Sequence, residues 1–78
     1  MVLPRPRAVH TARYKRMLSQ LRAARLSEGL TQMEVARAFR RTQSYVSKCE
    51  SGERRIDPID LADFARLYRK PLTFFISD

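Results

Sequence analysis

Residues 41–55 read RTQSYVSKCESGERR. Within this stretch an amide (Gln43), four hydroxyls (Thr42, Ser44, Ser47, Ser51) and an ammonium (Lys48) lie close together, with Arg41 before them and Arg54 and Arg55 after. Wound onto a helix at about 100° per residue, Gln43, Ser44, Ser47, Lys48 and Ser51 share one side, and Val46 and Cys49 fall on the other. The polar side donates and accepts hydrogen bonds and has no carboxylate at its centre. Groups of this kind read base edges and hold phosphates. Other chemistries lack their parts. No nucleophile stands beside a base, and no glycine-rich loop is present to cradle a nucleotide phosphate, so neither an enzyme nor a cofactor is expected. Asp57, Asp60 and Asp63 read as acids in the first turns of a helix rather than as metal ligands, and His10 has no partner ligand near it in sequence, so no metal is expected. Cys49 lies in apolar register and reads as a small buried hydrophobe.

Charge points to the same partner. Sixteen Lys and Arg face eight Asp and Glu, a net charge of +8. The imbalance is concentrated in residues 1–27, which hold Arg5, Arg7, Arg13, Lys15, Arg16, Arg22 and Arg25 and no acid. A polyanion is the implied partner. Charge alone equally fits a basic arm that only aids solubility. The single cysteine excludes an internal disulfide and suits a reducing compartment. No apolar run approaches the ~20 residues of a membrane span, and the opening MVLPRPRAVH has no apolar signal region. The expectation is a cytoplasmic protein that does not enter membranes.

The elements that must position these residues follow from spacing and punctuation. With 78 residues the chain is expected to be one small domain. Residues 1–10, with Pro4 and Pro6 between arginines, read as a flexible basic arm, in which Arg5 and Arg7 either enter a minor groove or stay in solvent. Residues 11–78 read as the folded domain. From about Thr11, Tyr14, Met17, Leu18, Leu21 and Ala24 recur with helical spacing, and Gly29 supplies a stop. Thr31 with Glu34 forms a capping box, opening a helix whose inner stripe is Gln32, Val35, Ala36 and Phe39. Thr42 caps a third helix, from about Gln43 to Ser51, which Gly52 ends. Asp57 and Pro58 open a fourth, with Leu61, Phe64, Ala65 and Tyr68 on one face. Pro71 opens a short last helix, LTFFIS. Five helices and no strand are expected. A third helix of this length is not stable alone and must lean on the second, where Ala36 permits close crossing. Two short helices joined tightly, one with an exposed polar face, make a helix-turn-helix.

The stretch TQMEVARAFRRTQSYVSKCESGERR resembles the XRE-type, phage-repressor-like helix-turn-helix DNA-binding family. The matching positions are Thr31-Gln32, Val35-Ala36, the run Gln43 to Lys48, Glu50 and Gly52, with Arg22, Arg25, Gly29 and Leu30 matching the family's first helix. The likeness extends over roughly residues 18–76. It implies an all-α, compact five-helix bundle. It further implies a sequence-specific transcriptional regulator that binds a pseudo-palindromic operator in double-stranded DNA as a homodimer, with the third helix in the major groove. By the same resemblance, Gln43 reads a base, often adenine, and Ser44, Ser47 and Lys48 read others. Thr42 and Tyr45 contact a methyl group or phosphate. Gln32 meets a phosphate and Gln43, Arg54 and Arg55 hold phosphates, and Arg25 with Glu50 forms a structural ion pair.

In one place the chain departs from the family, which usually has glycine and then an apolar residue at the turn. Here Arg40 and Arg41 stand there. Either the first adopts a left-handed conformation at a cost of roughly 1 kcal/mol, or the turn differs and the helix angle shifts; Arg41 would add a phosphate contact. Leu72, Phe74, Phe75 and Ile76 are expected partly to complete the core and partly to form a dimer interface. The competing functions are a protein-interaction module, such as an antitoxin-like partner with secondary DNA binding, and coating of nucleic acid through charge alone.

Overall fold

Four short oxygen-bearing side chains begin four of the helices. In the computed structural model, which describes residues 11–76, Thr11 Oγ1 accepts from the Tyr14 amide at 3.0 Å. Thr42 Oγ1 accepts from the Tyr45 amide at 3.2 Å, and Asp57 Oδ1 from the Asp60 amide at 2.8 Å. Thr31 and Glu34 satisfy each other's backbone amides at 3.1 and 2.9 Å, a complete capping box. The helices they open are α1 (Ala12–Ser27), α2 (Gln32–Phe39), α3 (Gln43–Ser51) and α4 (Pro58–Tyr68), followed by a single turn, α5 (Leu72–Phe75). No strand occurs among the described residues. The last helix is shorter than the expected LTFFIS, because Ile76 turns to extended backbone (φ −120°, ψ 103°). Residues 1–10, expected as a flexible arm, lie outside the described residues.

The helix ends decide how α2 meets α3. Arg40 is left-handed (φ 54°, ψ 43°), and the Arg41 amide donates back to the Ala36 carbonyl at 2.9 Å. That is a Schellman turn with arginine in the position glycine usually fills. Of the two outcomes open at this turn, the chain keeps the turn and accepts the strain. Arg69 ends α4 in the same way, at φ 60° with the Lys70 amide on the Ala65 carbonyl. Gly52, by contrast, is required on two counts: its φ is +85°, and a Cβ there would lie 3.0 Å from Leu18 Cδ1 on α1.

The core forms where the four apolar stripes meet. Leu21 and Ala24 of α1, Val35 and Ala36 of α2, Val46 and Cys49 of α3, and Phe64 and Tyr68 of α4 are essentially inaccessible to solvent. Phe64 is the hub. Phe39 meets it edge-on at 5.0 Å, Tyr68 lies tilted at 5.9 Å, and Tyr45 lies parallel at 6.4 Å. The Tyr14 hydroxyl accepts from the Ile56 amide at 2.9 Å, tying the loop after α3 to α1. Gln20 of α1 donates to the Phe74 carbonyl at 3.2 Å and holds α5. Of the cluster expected partly in the core and partly at a subunit interface, Phe75 falls in the core, at 2% exposure.

Candidate nucleic-acid interface

Helix α3 divides as its side chains require. Tyr45, Val46 and Cys49 are buried, while Gln43, Ser44, Ser47 and Lys48 are exposed. Thr42 is exposed as well, with its oxygen engaged in the cap. The buried stripe is wider than Val46 and Cys49 alone, and Tyr45 is the difference. Burial pushes the Cys49 thiol upward, so it stays protonated and inert.

The far end of α3 is anchored by a buried ion pair. Arg25 Nε meets Glu50 Oε2 at 2.6 Å, and a second guanidinium nitrogen meets Oε1 at 3.2 Å. A third donates to the Leu30 carbonyl at 2.8 Å. Both side chains are almost fully covered. One guanidinium thus joins α1, the loop after it and α3. Gln32 adds α2: its amide nitrogen donates to Glu50 Oε1 at 3.1 Å. The resemblance implied that Gln32 meets Gln43; among the described residues its partner is Glu50 instead. The second amide hydrogen of Gln32 remains to be given.

At the other end of α3, the Tyr45 ring carries two cations. The Arg41 guanidinium carbon lies 3.8 Å from the ring centroid and that of Arg54 lies 5.0 Å from it. Tyr45 is 8% exposed. Expected to contact a methyl group or phosphate, the ring is covered by the two arginines and lies parallel to Phe64, at the edge of the basin they line. Burial pushes its phenol up to about 12, so it is neutral at ordinary pH. Arg40, Arg41, Thr42, Ser44, Tyr45, Lys48 and Arg54 together line one open basin with no carboxylate in its wall. The helix-turn-helix family model matches residues 16–72. The chain belongs to the helix-turn-helix domain family. That family is associated with XRE-type regulators, and membership makes α2–α3 the motif of a DNA-binding type of regulator. No curated protein and no solved structure matches the chain.

Other residues of this helix-turn-helix protein divide between two faces. Arg55 was paired with Arg54 in the sequence, yet it lies away from the basin. It borders an apolar groove with Tyr14, Met17, Ile56, Leu61, Leu72 and Ile76. Leu72 and Ile76 stand 49% and 46% exposed there, while Phe74 is half-buried. No group of metal-binding side chains occurs among the described residues, and none of their helices is long and apolar enough to cross a membrane. Sequence reasoning missed two features. The stack of Arg41 and Arg54 on Tyr45 and the Gln32–Glu50 bond had no local signal, because Arg41 precedes α3 and the turn, loop and helix crossing bring these groups together.

Proposed function

We propose that this helix-turn-helix protein is a transcriptional regulator that recognises a pseudo-palindromic sequence in double-stranded DNA as a homodimer in the cytoplasm. The observation that carries the reading is the α3 surface: Gln43, Ser44, Ser47 and Lys48 exposed side by side, flanked by the carboxylate-free basin of Arg40, Arg41 and Arg54. With α3 in the major groove, Gln43 at its first turn comes nearest the base edges, where an amide that donates and accepts together suits adenine. Ser44, Ser47 and Lys48 extend the readout along the groove, and the Thr42 hydroxyl proton is available beside them. Arg41, Arg54 and the unused Gln32 amide hydrogen take phosphates. The exposed Leu72 and Ile76 on the apolar groove support pairing of two copies.

Selection from random duplexes tests this directly. The expected result is a consensus of two inverted half-sites about 10 bp apart or a multiple, bound by two chains by mass. Equal affinity for all duplexes refutes it in favour of coating through charge. The same exposed Leu72 and Ile76 also fit an antitoxin-like interaction module. Co-purification of a stoichiometric second protein that covers both residues favours that alternative.

A further inference from the structure

Two guanidinium groups repel each other, yet Arg41 and Arg54 approach the same ring, one from the turn before α3 and one from the loop after it. Asp60 and Asp63 border a second cleft with Arg41 and Tyr45, but among the described residues no carboxylate lies within ion-pair distance of Arg41 or Arg54. A tyrosine face attracts cations through its quadrupole and leaves the guanidinium hydrogens free at their edges. The ring itself is fixed, 8% exposed and parallel to Phe64 at 6.4 Å. The Arg54 backbone is also pinned, its amide donating to the Lys48 carbonyl at 3.0 Å, and the Arg41 backbone is held by the Schellman bond to Ala36. Both arginines, with Lys48, open onto the one basin.

We infer that Tyr45 is a positioning residue that holds Arg41 and Arg54 as two arms of one clamp, and that the clamp closes on a single phosphodiester of the DNA backbone in each half-site. This rests on the proposed reading that α3 enters DNA and adds which phosphate contact orients it. The ring supplies no hydrogen bond to DNA. It keeps two long side chains from sampling solvent, so less rotamer freedom is lost when the phosphate arrives. Arg41, at the turn position where the resembled family usually has an apolar residue, supplies one arm and makes the clamp a property of this chain.

The test has two arms. The first measures log affinity against log salt for the wild type, Tyr45→Leu and Tyr45→Phe, with circular dichroism to check folding. Neutralising one phosphate contact is worth about 0.9 in the slope. Tyr45→Leu is expected to lower the slope by about one, and Tyr45→Phe, which keeps the ring, to restore it. A purely structural tyrosine would change stability and leave the slope alone. A folded Tyr45→Leu protein with the wild-type slope overturns the inference. The second arm uses duplexes with a methylphosphonate at one backbone position at a time, bound by the wild type, Arg41→Ala and Arg54→Ala. Both arginines are exposed, so these variants fold even if Tyr45→Leu does not. One position per half-site is expected to weaken the wild type and to leave both variants insensitive. Sensitivity lost at two different positions overturns the shared clamp. The slopes need no operator, so a wild type without base preference refutes the proposed readout while the clamp is still judged.

Discussion

Gln43 and Arg54 lie within a few turns of each other, and the chemistry of their side chains separates what they do. The Gln43 amide matches a base edge, whereas Arg54 sits beyond Gly52, outside α3, with its guanidinium over Tyr45. Gln43→Ala is expected to relax preference at one base pair by roughly 1–3 kcal/mol and leave the salt slope nearly unchanged. Arg54→Ala is expected to weaken binding alike on every sequence and lower the slope by about one. Titrations at several salt concentrations on matched and singly substituted duplexes separate the two. If Gln43→Ala weakens all sites equally, α3 does not read bases through that residue.

Among the elements, α3 is the one that cannot hold itself, and its two fastenings carry different risks. Removing Glu50 leaves Arg25, a residue 7% exposed, without its carboxylate. Glu50→Ala is therefore expected to cost about 3–5 kcal/mol, visible as a lowered thermal midpoint with the secondary structure unchanged at low temperature. An unchanged midpoint would mean that water replaces the carboxylate at no cost. Gly52 is the second fastening. Alanine there must adopt φ near +85° and press on Leu18, so Gly52→Ala is expected to destabilise by about 1–2 kcal/mol. A neutral Gly52→Ala would show that the α3 end can shift away from α1. The Schellman turn at Arg40 follows the same logic with the opposite choice: about 1 kcal/mol of strain is tolerated where a cation faces the basin.

For the whole molecule, two surfaces face apart in function: a cationic basin at α3 and an apolar groove between α1, α4 and α5. If the groove pairs two copies, Ile76→Asp is expected to halve the mass in solution and weaken operator binding while leaving the monomer folded, because Ile76 is exposed. Phe75→Asp would instead unfold the domain. A wild type that stays monomeric at high concentration, including on DNA, removes the dimer. Stability of the molecule also depends on pH through its core phenols. Tyr45 rises from 10.0 to about 12 on folding, and burial raises Tyr68 as well, whose hydroxyl has no hydrogen-bond partner. A phenol that resists ionising when folded stabilises the fold fully below pH 10, and that contribution is lost as pH rises through about 12. Thermal midpoints are expected to fall between pH 10 and 12, together with the tyrosinate absorbance; tyrosinate formation without loss of stability would refute it.

Much of this protein is determined by the sequence alone, because helix punctuation is local. Thr31 with Glu34, Asp57 with Pro58, and Gly52 act on backbone groups within a few residues, so the elements appear where spacing puts them. The stripe of Leu61, Phe64, Ala65 and Tyr68 is buried as written, since period alone decides which face of a helix is apolar. The Arg25–Glu50 pairing was available only through resemblance, as 25 residues separate the partners. The rest was decided by the crossing of elements. Whether Phe75 or Ile76 faces inward depends on how one turn of helix lands on α1, and a four-residue helix has too little period to tell. Resemblance implied for Tyr45 a contact to a methyl group or phosphate. The residue became the floor beneath Arg41 and Arg54 because Phe64 on another helix takes one side of its ring and a loop returns Arg54 to it. Contacts between distant segments are set by packing, and packing is a property of the folded chain.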